Sequence, residues 1–455
     1  MAGVLGTGLG TYIPLFLYLG IILVSLASIL WKPQLGLYLL ILIVPLQTTR
    51  EKLLNYPLGA EAIYILWFAV FLGLFFHNQG RIFPRSQVNR ILLLLGVVTY
   101  ISLWQGWLYL GGSSPINPSD QRFSDWRSYM LMPAIALVTA AALRDRKQLK
   151  FAVLLMIVVG CLVDWSFFRS GAGRDFTHYS EAVRDAGTLG YAGANGFSAF
   201  VAESVVFCAS LFYFLREKWI RISLSVVMAF SVYCLLFSFS RGGYAACLIG
   251  LGFLALYRQR LLLIGLVVLV IAWQVILPTA VQERVTMTYD QEGQSLDASA
   301  AERVDLWQDA VTLISASPIL GTGFDTYQFM HRIGTFQDTH NYYVKVLVEM
   351  GAIGLLLLLM VLWQMWRSGL RLYRASHDPF LSGLGFGFAA MIVTAAVANL
   401  FGDRWTYLQV DGPMWMLLGC VIRGQTIAEQ ELEAEKPCND AARVNSLRRD
   451  PVAVS

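Results

Sequence analysis

Long apolar runs constrain this chain more than any other feature. Stretches suited to membrane-spanning helices occur at 12–30, 60–76, 91–110, 129–143, 149–168, 192–215, 219–239, 242–257, 261–277, 341–366 and 380–401. Two shorter runs, 35–46 and 412–422, are marginal against the ~20 residues that a ~30 Å hydrocarbon core requires. Only 14% of the residues are charged and 56% are hydrophobic. A soluble chain carries about 25% charged residues, so a large water-soluble enzyme is excluded. The runs do not alternate as the strands of a membrane barrel would. The expected fold is therefore all-α: a polytopic transmembrane helical bundle of about 12 spans. Lys32-Pro33 reads either as a tight turn or as a kink, which leaves the parity at the start open. Nothing before Tyr12 reads as a cleaved signal peptide.

Loop charge sets the expected orientation. Arg81, Arg85 and Arg90 share a side with Arg144, Arg146, Lys147 and Lys150, and by alternation with Arg216, Lys218, Arg221, Arg258, Arg260, Arg367, Arg371 and Arg374. These short basic loops read as cytoplasmic. The opposite face receives 47–59, 111–126, 169–191, the turn at Ser240, 278–339 and 402–411, which is nearly all of the loop sequence. Function is expected there. Its basic residues are almost all arginine, whose planar fork grips phosphate oxygens where lysine offers a point charge; an Arg-rich composition overall would produce the same bias. Cys161, Cys208, Cys234, Cys247 and Cys420 fall in spans and Cys438 in the tail, so neither a disulfide framework nor a cysteine-based zinc site is expected. No basic stripe with interleaved aromatics points to nucleic acid. Four regions follow: transmembrane helices with short loops (1–277), a long outer loop (278–340), C-terminal transmembrane helices (341–423) and a disordered cytoplasmic tail (424–455).

The long loop has its own pattern. Ser299-Ala-Ala-Glu302 has the form of a capping box. Ala300, Val304, Trp307, Val311 and Ile314 then form an amphipathic stripe before Pro318, which predicts a helix over 300–316 that packs on the bundle or lies in the membrane interface. Arg303 stands beside the stripe, where it either looks across the membrane surface or pairs with Glu302 or Asp309. A glycine turn follows, Pro318-x-x-Gly321-x-Gly323-Phe324. Then Asp338-Thr339-His340-Asn341 opens a long apolar helix that contains Glu349-x-Gly351. A helix start attracts anions, and a histidine there can serve as a proton acceptor. Ser240-Arg241-Gly242 makes a turn between two spans on the same face. Among acids in or near spans, Glu203 is expected roughly 16 Å deep, and Asp164 is close enough in sequence to pair with Arg169.

These motifs, in this order, resemble the O-antigen ligase and polymerase superfamily over about 192–366; the rest of the chain is similar by hydropathy only. The resemblance implies a bacterial inner-membrane glycosyltransferase acting on the periplasmic side. The ligase type moves a glycan from undecaprenyl diphosphate to the lipid A–core oligosaccharide. The family's essential histidine matches His340, and its essential arginines match Arg241 and, more loosely, Arg303 in Glu-Arg-Val-Asp-Leu-Trp. On that reading His340 is the catalytic base, Arg241 and Arg303 bind the diphosphate with Arg184 or Arg169 helping, and Asn341 joins the substrate site. No cofactor and no metal are expected; the partners are the carrier-linked glycan, the acceptor glycolipid and membrane lipids, with no nucleic acid. The ligase-like proteins associated with exosortase systems are also similar. An O-antigen polymerase is the nearest alternative, though Arg241 has its Gly252 at the polymerase spacing inside a span. A protein O-oligosaccharyltransferase is a further one, and a lipid-linked sugar transporter is disfavoured because no related halves are visible.

Overall fold

The computed structural model describes residues 2–77, 82–84, 86–189, 191, 193–287, 298–332 and 339–449, and the regular elements among them are helices. Arg81, Arg85 and Asp338 lie outside the described residues, as do the side chains of Ala300 and Glu302. The principal helices are α1 (Ala2–Leu30), α2 (Pro33–Ile43), α3 (Ala62–His77), α4 (Gln87–Leu110), α5 (Gln121–Ala142), α6 (Arg146–Ser170), α7 (Gly193–Phe214), α8 (Lys218–Phe237), α9 (Arg241–Tyr257), α10 (Arg260–Ile276), α11 (Thr279–Thr286), α12 (Ala298–Ala316), α13 (Tyr342–Ala375), α14 (Pro379–Ala398) and α15 (Leu408–Arg449). Every apolar run of the sequence falls in one of them. Among the described residues, eight helical segments are long and apolar enough to cross a membrane, and α10 with α11, bent by 106° at their junction, makes a ninth candidate. α2 and α9 are apolar but shorter, so hydropathy runs and full-length spans are not the same set. Lys32-Pro33 is a turn: α1 and α2 form a hairpin in which Ser28 accepts from the Gly36 amide at 2.9 Å.

Side-chain caps fix where many helices begin. Ser86, Asp120, Asp145 and Asp378 each accept a backbone N–H of the first turn that follows, which satisfies amides that a helix start leaves open. Ion pairs then bring helix ends together on one face. Arg146 at the head of α6 pairs with Asp378 before α14 at 2.9 Å and with Glu431 of α15, and Arg371 donates to Gln87 at 2.6 Å. This is the short-loop face. The described residues of 44–61, 111–120, 171–191, 238–240, 277–287, 317–332, 339–341 and 399–407 gather on the opposite, long-loop face.

α14 and α7 form the centre, with 83% and 72% of their apolar windows buried, against 17% for α1. Glycines allow the close approach: a Cβ on Gly385 would lie 2.6 Å from the Gly369 carbonyl, and one on Gly387 would lie 2.9 Å from Ser210. α10 has no buried residue at all. The polar sequence from 424, expected to be without structure, instead continues α15 as one helix to Arg449. Gln425 donates to the Ser368 carbonyl at 2.7 Å, and Ile427 and Ala428 are buried; enough apolar and paired residues follow Gly424 to hold the first turns on the bundle.

One long helix is broken on purpose by its sequence. α13 leaves helical geometry at Gly351 (φ 60, ψ −163), and the four backbone groups this frees find partners in the glycine turn of the long loop. The Val348 carbonyl accepts from Thr322 at 3.0 Å and the Glu349 carbonyl from Gly323 at 2.6 Å; the Ala352 and Ile353 amides donate to Pro318 at 2.9 Å and Ile319 at 3.3 Å. The turn is also pinned to α4, where the Phe324 amide donates to Ser102 at 3.0 Å and Gln105 donates to Gly321 at 2.7 Å. A Cβ on Gly351 would sit 2.3 Å from the Ile319 carbonyl carbon, and one on Gly321 would sit 2.5 Å from Glu349 backbone. Both glycines have positive φ, so strain and collision coincide. Gly351→Ala and Gly321→Ala are each expected to destabilise by about 3 kcal/mol or more, read as a fall in the thermal midpoint of the detergent-solubilised protein. An unchanged midpoint for both would mean that the two segments are not locked as described.

Candidate active site

Three arginines converge at the head of α9. Ser240 caps the helix, accepting from Gly243 at 3.4 Å, and donates to Asn195 Oδ1 at 2.8 Å. Arg184 donates to the same oxygen at 2.7 Å, so the Ser240 turn and the 171–192 loop are tied through Asn195. Arg241 is the first residue of α9 and donates to the Met287 carbonyl just past α11. Arg284 of α11, 3% exposed, lies with its guanidinium 4.7 Å from the Tyr179 ring centre and donates to the Phe239 carbonyl at 3.3 Å. Burial pulls the Arg284 guanidinium below its usual range; Tyr179 opposes this, while Arg241 and Arg184 add to it. The acid paired with Arg184 (3.5 Å) and Arg284 (3.7 Å) is Glu181. Burial would raise its carboxyl, but Tyr179, Arg184 and Arg284 together hold it lower. Arg184 and Arg284 share one exposed carboxylate, and the planar fork of a guanidinium suits the oxygens of a diphosphate.

His340 stands at the head of α13 on the same face. Its backbone is left-handed (φ 51), so it stands outside the helix that follows. Asn341 is the cap of α13, its Oδ1 accepting from Tyr343 at 3.0 Å and Val344 at 3.3 Å. Two amides expected to be open to an anion are therefore already used. α12 reaches this corner: Trp307 donates to the Thr339 carbonyl at 3.0 Å, and Arg303 lies one turn earlier on the same helix. Asp309, one of the two acids considered for Arg303, holds Arg332 at 2.7 Å, and the side chain of the other, Glu302, lies outside the described residues. The expected stripe also needs correction. Leu306, Ala310 and Leu313 are the buried face of α12, while Val304, Trp307 and Val311 are exposed. Both sets are apolar at helical spacing, and contact with Tyr327 and Val348 selects the first.

The 399–407 loop stands between the two helix heads. Phe401 fills the space a side chain on Gly242 would need, 2.7 Å from that Cβ, and Asp403 pairs with Lys345 of α13 at 3.1 Å. Arg184 and Arg241 are thus brought together with Arg284, and His340 with the helix of Arg303. Arg169 is exposed on the last turn of α6 and makes no ion pair with the arginine cluster's acid among the described residues. Asp164 does not pair with it: that carboxylate is 2% exposed and accepts from Ser231 of α8. Glu203 is fully buried in α7 and faces Asp411 of α15, and none of the four carboxylate oxygens has a hydrogen-bond partner in the protein. Arg284 and Asp411 were missed as site candidates in the sequence. Arg284 had one usable signal, since Val281 and Arg284 share the buried face of α11 one turn after Pro278.

A surface latch holds the 171–192 loop on α11. Glu283 accepts from the Tyr179 amide at 2.7 Å and meets His178 Nδ1 at 2.7 Å. The Tyr179 amide and His178 hold the Glu283 carboxyl low, and Glu283 holds the His178 imidazole up. Contact from a raised histidine is fully present below its ordinary value of 6.5 and lost as pH rises through the raised one; that from a lowered glutamate is present above 4.5 and lost as pH falls. The latch is therefore tightest between these two values. Amide exchange over 175–185, corrected for intrinsic rates, is expected to be a few-fold slower near pH 6 than near pH 8.5. Equal protection at both would show that the pair carries nothing.

Fold and site together define a multi-pass helical membrane protein with an arginine cluster and a histidine at one end of the bundle. Residues 226–359 match the family model described as Wzy_C, O-Antigen ligase. Over this segment the chain is similar to the O-antigen ligase superfamily, whose members are glycosyltransferase-like enzymes of the ligase and polymerase kind. The match encloses Arg241, Arg284, Arg303, His340 and the paired glycines Gly321 and Gly351. No curated protein matches the chain.

Proposed function

We propose that this chain is an O-antigen ligase of the bacterial inner membrane, which moves the O-antigen glycan from undecaprenyl diphosphate to the lipid A–core oligosaccharide at the periplasmic face. The observation that carries this reading is the cluster of Arg184, Arg241 and Arg284 on the same face as His340. The reaction breaks the bond between the anomeric carbon and a diphosphate oxygen, and the leaving group gains negative charge as it departs. Guanidiniums already fixed by Asn195, Met287 and Phe239 meet that charge without reorganising. His340 takes the proton from the acceptor hydroxyl as its oxygen attacks the opposite side of the anomeric carbon, which gives inversion. The products are the glycosylated acceptor and undecaprenyl diphosphate. Arg303 supports the diphosphate from α12, and the carrier's polyprenyl chain stays in lipid.

Deletion of the gene from its native host tests this reading on a lipopolysaccharide gel. Loss of the entire ladder, with finished polymer accumulating on the carrier lipid, is the result expected of a ligase. A core that carries one repeat unit would assign the chain as the polymerase instead.

A further inference from the structure

The proposed mechanism accounts for a phosphate-binding cluster and a base, but it leaves unexplained a second polar region on the long-loop face. A cavity of about 290 Å³ lies between the start of α5, the turn after Phe324, the first turns of α13 and the 399–407 loop. Its wall carries Asp125, Asp325, Gln328, Lys345 and Asp403. These groups are not scattered. Lys345 Nζ is 3.1 Å from Asp403 and 3.9 Å from Asp325, and Gln328 Nε2 reaches both Asp325 and, at 3.4 Å, Asp125. Asp325, Lys345 and Asp403 are each less than a tenth exposed. Burial raises the Asp325 carboxyl well above the usual range against the pull of Lys345, and Glu349 and Asp125 add to the rise. Buried charge costs several kcal/mol unless it is paired and hydrogen-bonded, so a void beside it calls for a polar occupant.

A second cavity of about 340 Å³ adjoins the first, with Ser128 on both walls. Tyr64 and Ser128 hydroxyls meet at 2.9 Å on the shared side. Gln47 and Arg50 line this second chamber, and Gln47 Oε1 and Arg50 Nε have no hydrogen-bond partner in the protein. Together the two chambers are of the size of small-ligand sites, which run from about 300 to 1,000 Å³. Their chemistry differs from that of the arginine cluster. Three carboxyl groups and the Gln328 amide around one ammonium offer paired hydrogen-bond partners to hydroxyls and no guanidinium fork for phosphate, and they stand beside the rings of Tyr129, Phe324 and Tyr407, which suit the C–H face of a sugar. Lys345 lies five residues after His340, so the first chamber is near the proposed base.

We propose that the two chambers are glycan subsites, the first of which takes a neutral or amino sugar ring through Asp125, Asp325 and Gln328. This rests on the glycosyltransferase reading, and it adds a division of labour: diphosphate on the arginines, sugar rings in the acidic chamber. The rings belong to the donor glycan or to the acceptor glycan, and both are offered in the test.

The test uses the full chain in vesicles, with carrier-linked glycan and acceptor glycolipid varied separately, and the variants Gln328→Ala and Asp125→Asn. Both residues are only half-buried, and variant thermal midpoints matching the parent's establish that the fold is kept. The KM for one glycan substrate is expected to rise about tenfold or more with kcat within about twofold, as for a lost ground-state contact. A rise for the carrier-linked substrate assigns the chambers to the donor, and a rise for the glycolipid assigns them to the acceptor. Unchanged KM values for both substrates overturn the proposal. A parent protein that transfers no glycan would sink the ligase reading itself. The chambers are then decided by saturation-transfer NMR with methyl glycosides of a neutral hexose, an N-acetylhexosamine and a uronic acid. Saturation of the first two that is lost in both variants supports the subsites, and equal or stronger saturation of the uronic acid overturns them.

Discussion

His340→Asn is expected to lower glycan transfer by about 10²- to 10⁴-fold, the usual contribution of a positioned general base, while the protein stays folded. Asparagine is the better replacement because it tolerates the left-handed backbone at this position (φ 51), whereas alanine would add strain to the loss of the imidazole. The helix start itself should survive, since Asn341 and not His340 caps α13. On a lipopolysaccharide gel the ladder should fade and carrier-linked polymer should rise. The rate in the reconstituted system should fall in kcat more than in KM. An unchanged ladder, with the variant present in the membrane at normal level, would remove His340 from the chemistry.

Arg284→Lys and Arg241→Lys should each cost about 10²- to 10³-fold, the scale of losing one preorganised donor to a developing charge. Lysine keeps the charge but loses the fork, so a large loss separates bidentate gripping from general attraction. Because the leaving diphosphate gains charge only as the bond breaks, the loss should appear in kcat. Arg284→Lys is the sharper of the two, since Arg284 is the buried member and is held by both Tyr179 and Phe239. Arg169→Lys, on an exposed helix end outside the cluster, should change little. If Arg284→Lys retained the parental rate, the cluster would be a structural clasp for α11 and the diphosphate would have to bind elsewhere.

The helical class, the apolar segments and the helix of the long loop were legible because each is written in local periodicity. What periodicity cannot decide is which of two apolar faces packs. Val304, Trp307 and Val311 repeat as regularly as Leu306, Ala310 and Leu313, and only the neighbours of α12 settle the choice. Arg241 and His340 were legible through motifs that sit at helix starts. Arg284 was not, because its importance comes from Tyr179 and Phe239, each distant in sequence. The same holds for Asp125, Asp325, Lys345 and Asp403, four residues from four segments. The glycine turn and Glu349-x-Gly351 were both visible as motifs, yet their docking on each other was invisible, since backbone hydrogen bonding between separated segments leaves no spacing to read.

That docking has a consequence for how the chain is made. The loop 317–324 emerges before α13, and it must be outside the bilayer before α13 is inserted. The first turns of α13, through Met350, cannot settle in hydrocarbon alone, because the break at Gly351 leaves the Val348 and Glu349 carbonyls without a helical N–H donor and unpaired backbone is not tolerated there. The interrupted helix is therefore sealed only when the loop has folded back onto it and paired the freed backbone groups. Only with the turn docked does Lys345 have Asp325 beside it, so the polar chamber at the start of α13 is completed late, as the last act of assembly.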